Sequence, residues 1–179
     1  LPAADKPERE DKWVLSKLNR LVKEVTENLD SFEIGVASAK VYDFIWDTYC
    51  DWYIELTKTR LNGTDEDAKL TAQNVLCYVL VTLLKLLHPF MPFITEEIYQ
   101  ALPKCGGAED ILMTAQWPEY TEALSFPAEE SAMEAVMDLI RAIRARRAEM
   151  NVPPSKKAEL MIVTDQAEPY QQGLHFIQR

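Results

Sequence analysis

Apolar residues recur at Val14, Leu18, Leu21, Val25 and Leu29, in steps of four, three, four and four, the spacing of one face of an α-helix. The pattern predicts a first helix over about 11–29. Asp30 followed by Glu33 resembles a capping pair, so a second helix is expected to start there and run to about Arg60. It carries one stripe at Val41, Ile45, Trp52 and Leu56 and another at Tyr42, Trp46, Tyr49 and Tyr53, which implies two packing neighbours. Asn62-Gly63-Thr64-Asp65 breaks the pattern, and Thr64 with Asp67 fits a capping box for a third helix of about 20 residues ending at His88-Pro89. Its apolar run from Val75 to Leu87 is bounded by Gln73, Asn74, Lys85 and His88, short of the roughly 20 residues of a membrane span, and reads as a buried bundle helix. A short fourth helix is expected to follow Thr95, with Glu96 and Glu97 at its positive end.

After Leu102-Pro103 the texture changes to Gly106-Gly107, an extended Ile111-Leu112-Met113 and Trp117-Pro118, which reads as connecting chain rather than core. Another helix is expected from Pro127 to about Met150, broken by Asn151-Val152-Pro153-Pro154. Lys157 to Thr164, with Leu160, Met161, Ile162 and Val163, is the one strand-like stretch. A single strand makes no sheet, so its partners would lie beyond Arg179 or the tail is a truncated α/β unit. The expected fold is mainly α: an antiparallel helical bundle over 8–126, then a connecting basic helix and a partial α/β extension over 127–179.

Composition narrows the classes. A hydrophobic fraction of 47% and a charged fraction of 27% are those of an ordinary globular protein. Five glycines in 179 residues are too few for a glycine-rich phosphate cradle or a many-turned β fold. Cys50, Cys77 and Cys105 match no metal-ligand spacing and read as reduced cytosolic thiols, and two histidines make a histidine-based zinc site improbable. Leu1 to Glu8 lacks both an apolar core and an initiator Met, so it reads as neither a signal peptide nor a natural start, and the chain reads as part of something larger.

The net charge of −10 counts against nucleic acid until its distribution is considered. Between Leu139 and Lys157 stand Arg141, Arg144, Arg146, Arg147, Lys156 and Lys157 against Glu149 alone, so this segment is +5 and the remainder −15. On a helical wheel Met133, Val136, Ile140 and Ile143 fall within about 80°, and Arg144 and Arg147 continue that stripe. An apolar face that becomes basic in its last two turns suits phosphate contact, while cations near a helix C-terminus also favour the macrodipole or pair with nearby carboxylates. The first helix offers Lys12, Trp13, Lys17, Arg20 and Lys23. Either Trp13 stacks a base between cations, or it anchors the bundle and the lysines solvate the outer face. Asp51 and Glu55, one turn apart, could be an acid/base pair of a hydrolase, but no nucleophile, His or metal set converges on them in sequence, and a solvated face or salt bridge explains them as well.

Three strings carry a resemblance: Asp11-Lys12-Trp13-Val14-Leu15-Ser16-Lys17-Leu18-Asn19, Cys50-Asp51-Trp52-Tyr53-Ile54-Glu55-Leu56-Thr57-Lys58, and His88-Pro89-Phe90-Met91-Pro92-Phe93-Ile94-Thr95-Glu96-Glu97-Ile98-Tyr99. In order and spacing they resemble the anticodon-binding helical bundle of class I aminoacyl-tRNA synthetases. Met91-Pro92-Phe93, and the Arg141-to-Arg147 helix followed by Asn151-Val152-Pro153-Pro154-Ser155, look like the valyl branch rather than the isoleucyl or leucyl ones.

The resemblance implies a C-terminal part of an enzyme that joins valine to tRNA-Val with ATP and Mg2+, alongside catalytic and editing domains of the same chain. It also implies a cytoplasmic, membrane-free monomer. The family's His-Ile-Gly-His and Lys-Met-Ser-Lys-Ser type signatures are absent, so these residues alone are expected to be inactive, without catalytic residues, metal or cofactor of their own. From about Pro154 the chain looks like the start of an α/β linker, and it begins after a family helix that carries an Asn and Arg pair. The charge pattern nominates Lys12, Lys17, Arg20, Arg141, Arg144 and Arg147 as RNA contacts. The competing expectation is a helical module that braces the synthetase body with little RNA affinity.

Overall fold

The computed structural model describes residues 7–103, 110–153, 155–165 and 167–178. Cys105, the Gly106-Gly107 break, most of the N-terminal segment and Pro154 lie outside the described residues. The chain forms two compact units, Leu1–Phe126 and Pro127–Arg179.

In the first unit, α1 (Arg9–Asp30) packs against α2 (Ile34–Asp43) and α4 (Glu66–Leu87), and α5 (Pro92–Ala101) packs against α4. The helical stripe of α1 is buried as its spacing requires: Trp13, Val14 and Val25 are fully buried. Asp30 does not start a new helix. It is the last residue of α1, which closes in a Schellman motif with Phe32 left-handed at φ 61°, Phe32 N–H donating to Leu29 O at 3.0 Å and Glu33 N–H to Asn28 O at 2.8 Å. Glu33 then precedes α2 with no side-chain cap, its carboxylate accepting from Asn28 Nδ2 at 2.7 Å.

From Ile34 the chain stays helical to Leu61, as α2, a π-helical segment Phe44–Tyr53, and α3 (Ile54–Leu61). The wider i→i+5 winding rotates the buried face relative to a 3.6-residue wheel. The aromatic ladder splits: Tyr49 and Tyr53 are core, whereas Tyr42, off the buried Ala37–Val41–Phe44 stripe, and Trp46, inside the π-helical segment, are 62% and 51% exposed. Their outward position corrects the expectation that the whole stripe faces a packing neighbour.

The cap of α4 is Asp65, one residue later than expected, its Oδ1 accepting from the Asp67 and Ala68 N–H groups at 3.1 Å. At 22 residues α4 is long and apolar enough to cross a membrane by length and composition, contrary to the sequence expectation, yet Val75, Val79, Leu83 and Leu86 are buried in the first unit. Helix α5 starts at Pro92, not after Thr95, because proline fits the first helical position. Thr95 is buried inside it, with Oγ1 2.9 Å from Met91 O and 2.7 Å from His88 Nδ1.

The connecting stretch is more ordered than its composition suggests. Leu112, in a 3-10 turn (Leu112–Thr114), is buried with Leu84 and Tyr99, so it is core rather than extended loop. Residues 117–126, including a second 3-10 turn (Glu122–Leu124), run along α1, held by three of its side chains. Thr26 Oγ1 accepts from Trp117 Nε1 at 2.9 Å, Asn19 exchanges two bonds with the Thr121 backbone at 2.8 and 2.9 Å, and Ser16 Oγ accepts from Phe126 N–H at 2.8 Å.

In the second unit α6 (Pro127–Glu149) packs against two short helices, α7 (Glu168–Gln172) and α8 (Leu174–Ile177). Gly173 sits so close to α6 that an added Cβ would lie 2.6 Å from Val136 Cγ2. The expected strand is absent: no strand occurs among the described residues, and Leu160, Met161 and Val163 are exposed. Strand propensity without a neighbouring strand leaves the backbone N–H and C=O groups no ladder to join.

Candidate nucleic-acid interface

On α1 the basic residues flank the strap of residues 117–126. Lys12 Nζ lies 5.7 Å from the Phe126 ring centroid and Lys23 Nζ 5.5 Å from that of Tyr120. Lys17 Nζ lies 5.4 Å from the Trp13 ring. Trp13 is 0% exposed and stacks no base, which settles its two readings in favour of the bundle anchor. Lys12 and Lys17 are half-buried along their stems, and Arg20 is exposed.

The first turn of α1 holds a second charged group that charge counting did not single out. Asp11 is fully buried and takes both ends of the Arg60 guanidinium, Nη1 to Oδ2 at 2.8 Å and Nη2 to Oδ1 at 2.5 Å, while Tyr53 Oη donates to Oδ1 at 2.6 Å. Glu10, also buried, lies 3.0 Å from Arg60 Nη2. Burial pushes the Glu10 carboxyl up to about 7, against the pull of Arg60. Burial, then the Asp11 carboxylate, likewise raises the Tyr53 phenol above its usual range. This carboxylate group is compensated by an internal guanidinium and a phenol, a bundle brace rather than a seat for a cation.

Asp51 is exposed and Glu55 pairs with Lys58 at 2.5 Å, so the possible acid/base pair is a solvated face with a surface ion pair. Among the described residues no group of three or more His, Cys, Asp or Glu side chains could hold a metal ion. Cys50 is a free thiol.

In the second unit the wheel of α6 is realised: Met133, Val136 and Ile140 are buried, Ile143 is half-buried, and Arg141, Arg144 and Arg146 are exposed. Arg141 Nη1 bonds Asp138 at 2.7 Å and Arg146 Nη1 bonds Glu149 at 2.9 Å. Such i,i+3 surface pairs contribute little stability and leave the remaining guanidinium donors to other acceptors. The helix closes in a second Schellman motif, with Asn151 left-handed at φ 52°, Asn151 N–H on Ala148 O at 3.1 Å and Val152 N–H on Arg147 O at 2.9 Å. Arg147 turns back from the row, its Nη2 donating to Pro153 O at 2.7 Å and Lys156 O at 2.6 Å. Lys156 N–H closes a turn onto Pro153 O at 3.0 Å.

The nominated residues thus fall into two sets, Lys12, Lys17 and Arg20 in the first unit and Arg141, Arg144 and Arg147 in the second. The sequence reading left Lys156 and Lys157 out of the nominated set. The signal that could have included them is the Asn-x-Pro-Pro break, which turns the chain just beyond a basic helix end.

The described residues form a helical bundle followed by a long helix with a basic end, and the family comparison says which class of protein this is. The chain belongs to the family described as the anticodon-binding domain of tRNA ligase, whose model matches residues 11–162. It is 50% identical to a valine–tRNA ligase of Clostridium acetobutylicum over 94% of this chain and 19% of that protein. It is 53% identical to that of Clostridium tetani over 85% and 17%, and 43% identical to that of Staphylococcus carnosus over 94% and 19%. The chain therefore spans about one fifth of the length of these curated relatives.

Proposed function

We propose that this chain is the anticodon stem-loop-binding module of a cytoplasmic valine–tRNA ligase, monomeric, which holds tRNA-Val while catalytic and editing domains of the same chain attach valine with ATP and Mg2+. The observation that carries the reading is the family match across residues 11–162, together with identities of 43–53% to proteins named as valine–tRNA ligases. The α6 row supports it physically, because exposed arginines at a helix end meet phosphates in fork geometry. Lys12, Lys17, Arg20, Arg141 and Arg144 are the proposed backbone contacts.

A second reading has its own observation. Lys12 and Lys17 sit against Phe126 and Trp13, and the chain outside residues 139–157 carries a charge of −15, as expected of a module that mainly braces a larger body. Titrating the chain at low salt with tRNA-Val and with an anticodon-substituted transcript separates the two. Tighter binding of tRNA-Val supports the anticodon module, whereas equal binding of both, or none, leaves bracing as the function.

A further inference from the structure

The turn after α6 is built in a way that simple phosphate contact does not require. Arg147 lies on the wheel position that should extend the arginine row, yet it places both Nη2 hydrogens on backbone carbonyls, Pro153 O at 2.7 Å and Lys156 O at 2.6 Å. Those two carbonyls belong to the residues joined by the Lys156 N–H to Pro153 O bond at 3.0 Å, so one guanidinium grips both ends of the turn. The Schellman closure at Asn151 aims the chain back toward the helix, with Val152 N–H on the Arg147 carbonyl at 2.9 Å. Arg147 is therefore bonded through its backbone oxygen to Val152, which leads into the turn, and through its side chain to the turn itself.

We propose that Arg147 is a positioning residue, which folds the Pro153–Lys156 turn onto the end of α6 and thereby sets Lys156 and Lys157 beside Arg141 and Arg144 as one seat for consecutive RNA phosphates. The inference rests on the RNA-binding reading and deepens it. Lys156 and Lys157 are exposed, and the Lys156 backbone is held within one side-chain length of the last helical turn. Without the clamp the two lysines would be carried by a segment with no regular structure and no fixed distance from the row. Asp138, the carboxylate bonded to Arg141, is exposed enough for phosphates to outcompete it, while Arg146 and Glu149 pair on the opposite side of the helix. Arginine suits the role because its rigid planar fork fixes the directions of its N–H donors, whereas a lysine ammonium is a freely rotating charge on a flexible stem.

A double-mutant cycle on the 179-residue chain tests this, with the salt dependence of tRNA-Val binding as the readout. Removing one phosphate partner lowers the slope of log K against log salt by roughly 0.7 to 0.9. Arg147→Ala is expected to lower it by about two such steps or more, as much as the pair Lys156→Gln/Lys157→Gln, and by less than one step when added to that pair. Amide exchange at Lys156 should quicken in Arg147→Ala while that of α6 up to Ile143 is unchanged, which shows that the variant is folded. Equal drops from Arg147→Ala in both backgrounds would make Arg147 an independent contact and overturn the inference, as would an unchanged slope in the lysine pair. Absence of binding by the unsubstituted chain at low salt removes the RNA-binding reading itself, an outcome distinct from an additive cycle.

Discussion

Glu10 sits against Asp11 and Arg60 in the first turn of α1 with 3% of its surface exposed, and a carboxyl so placed makes stability depend on pH in an unusual direction. Its folded-state value, about 7, lies above the 4.5 of a free glutamate, so between those values the folded chain holds a proton that the unfolded chain has released. Stability from this group is therefore full below the unfolded value and declines as pH rises toward 7, at no more than about 1.4 kcal/mol per pH unit. Chemical denaturation of the wild-type chain and of Glu10→Gln between pH 5 and 8 checks it. The expected result is a fall for the wild type that is flattened in the variant, and parallel profiles would show that Glu10 is ionised in the folded state throughout. Nothing in the local sequence marks this site, because Asp11 and Arg60 are 49 positions apart and only tertiary packing makes them a pair.

At the scale of elements, both left-handed closures use residues other than glycine, Phe32 after α1 and Asn151 after α6. Asparagine tolerates that conformation, but a phenylalanine that is 87% exposed gains no packing in return. Phe32→Gly should therefore stabilise the first unit, by about 1 kcal/mol, read as a raised urea midpoint at constant m value. A lowered midpoint would mean that the exposed ring contributes more than the strain costs. In the second unit Gly173→Ala should destabilise by about 1–3 kcal/mol, because its Cβ would meet the branched Val136 side chain at 2.6 Å, and Val136→Ala should recover part of that stability in the double variant. Additive effects would place the strain elsewhere.

These closures also show where sequence reading succeeds and where it fails. The helices were legible because their apolar residues follow a 3.6-residue period over many turns, as in Val14 to Leu29. The starts were misplaced at Asp30, Thr64 and Thr95, since a cap depends on which of several neighbouring acceptors the backbone reaches, and Asp65 and Pro92 were as close at hand. The outward turn of Trp46 was not legible, because the i→i+5 winding of Phe44–Tyr53 follows no local signal and the wheel assumes one pitch. Nor was the strap on α1, whose bonds from Ser16, Asn19 and Thr26 reach across 91 to 110 positions. Of the candidate interface, the α6 row was readable from charge and period together, whereas the return of Arg147 onto its own turn appears only in three dimensions.

For the whole molecule the decisive quantity is the separation of charge, +5 within residues 139–157 against −15 elsewhere, rather than the sum of −10. Contacts between the basic segment and RNA phosphates act over a few ångströms, while repulsion from the acidic remainder acts over the Debye length, about 30 Å at 0.01 M salt and about 10 Å at 0.1 M. Lowering the salt strengthens both, and the longer-range repulsion gains relatively more. Binding of tRNA-Val should therefore weaken steeply with salt above about 0.1 M, where only contact-range charges are felt, and level off below about 0.03 M, where the acidic body enters the screening range. Titrations at five or more salt concentrations from about 0.01 to 0.3 M would show this as a log–log plot that bends rather than a single line. A line that stays straight to the lowest salt would mean that bound RNA lies beyond the reach of the acidic remainder, and that net charge has no part in the affinity of this chain.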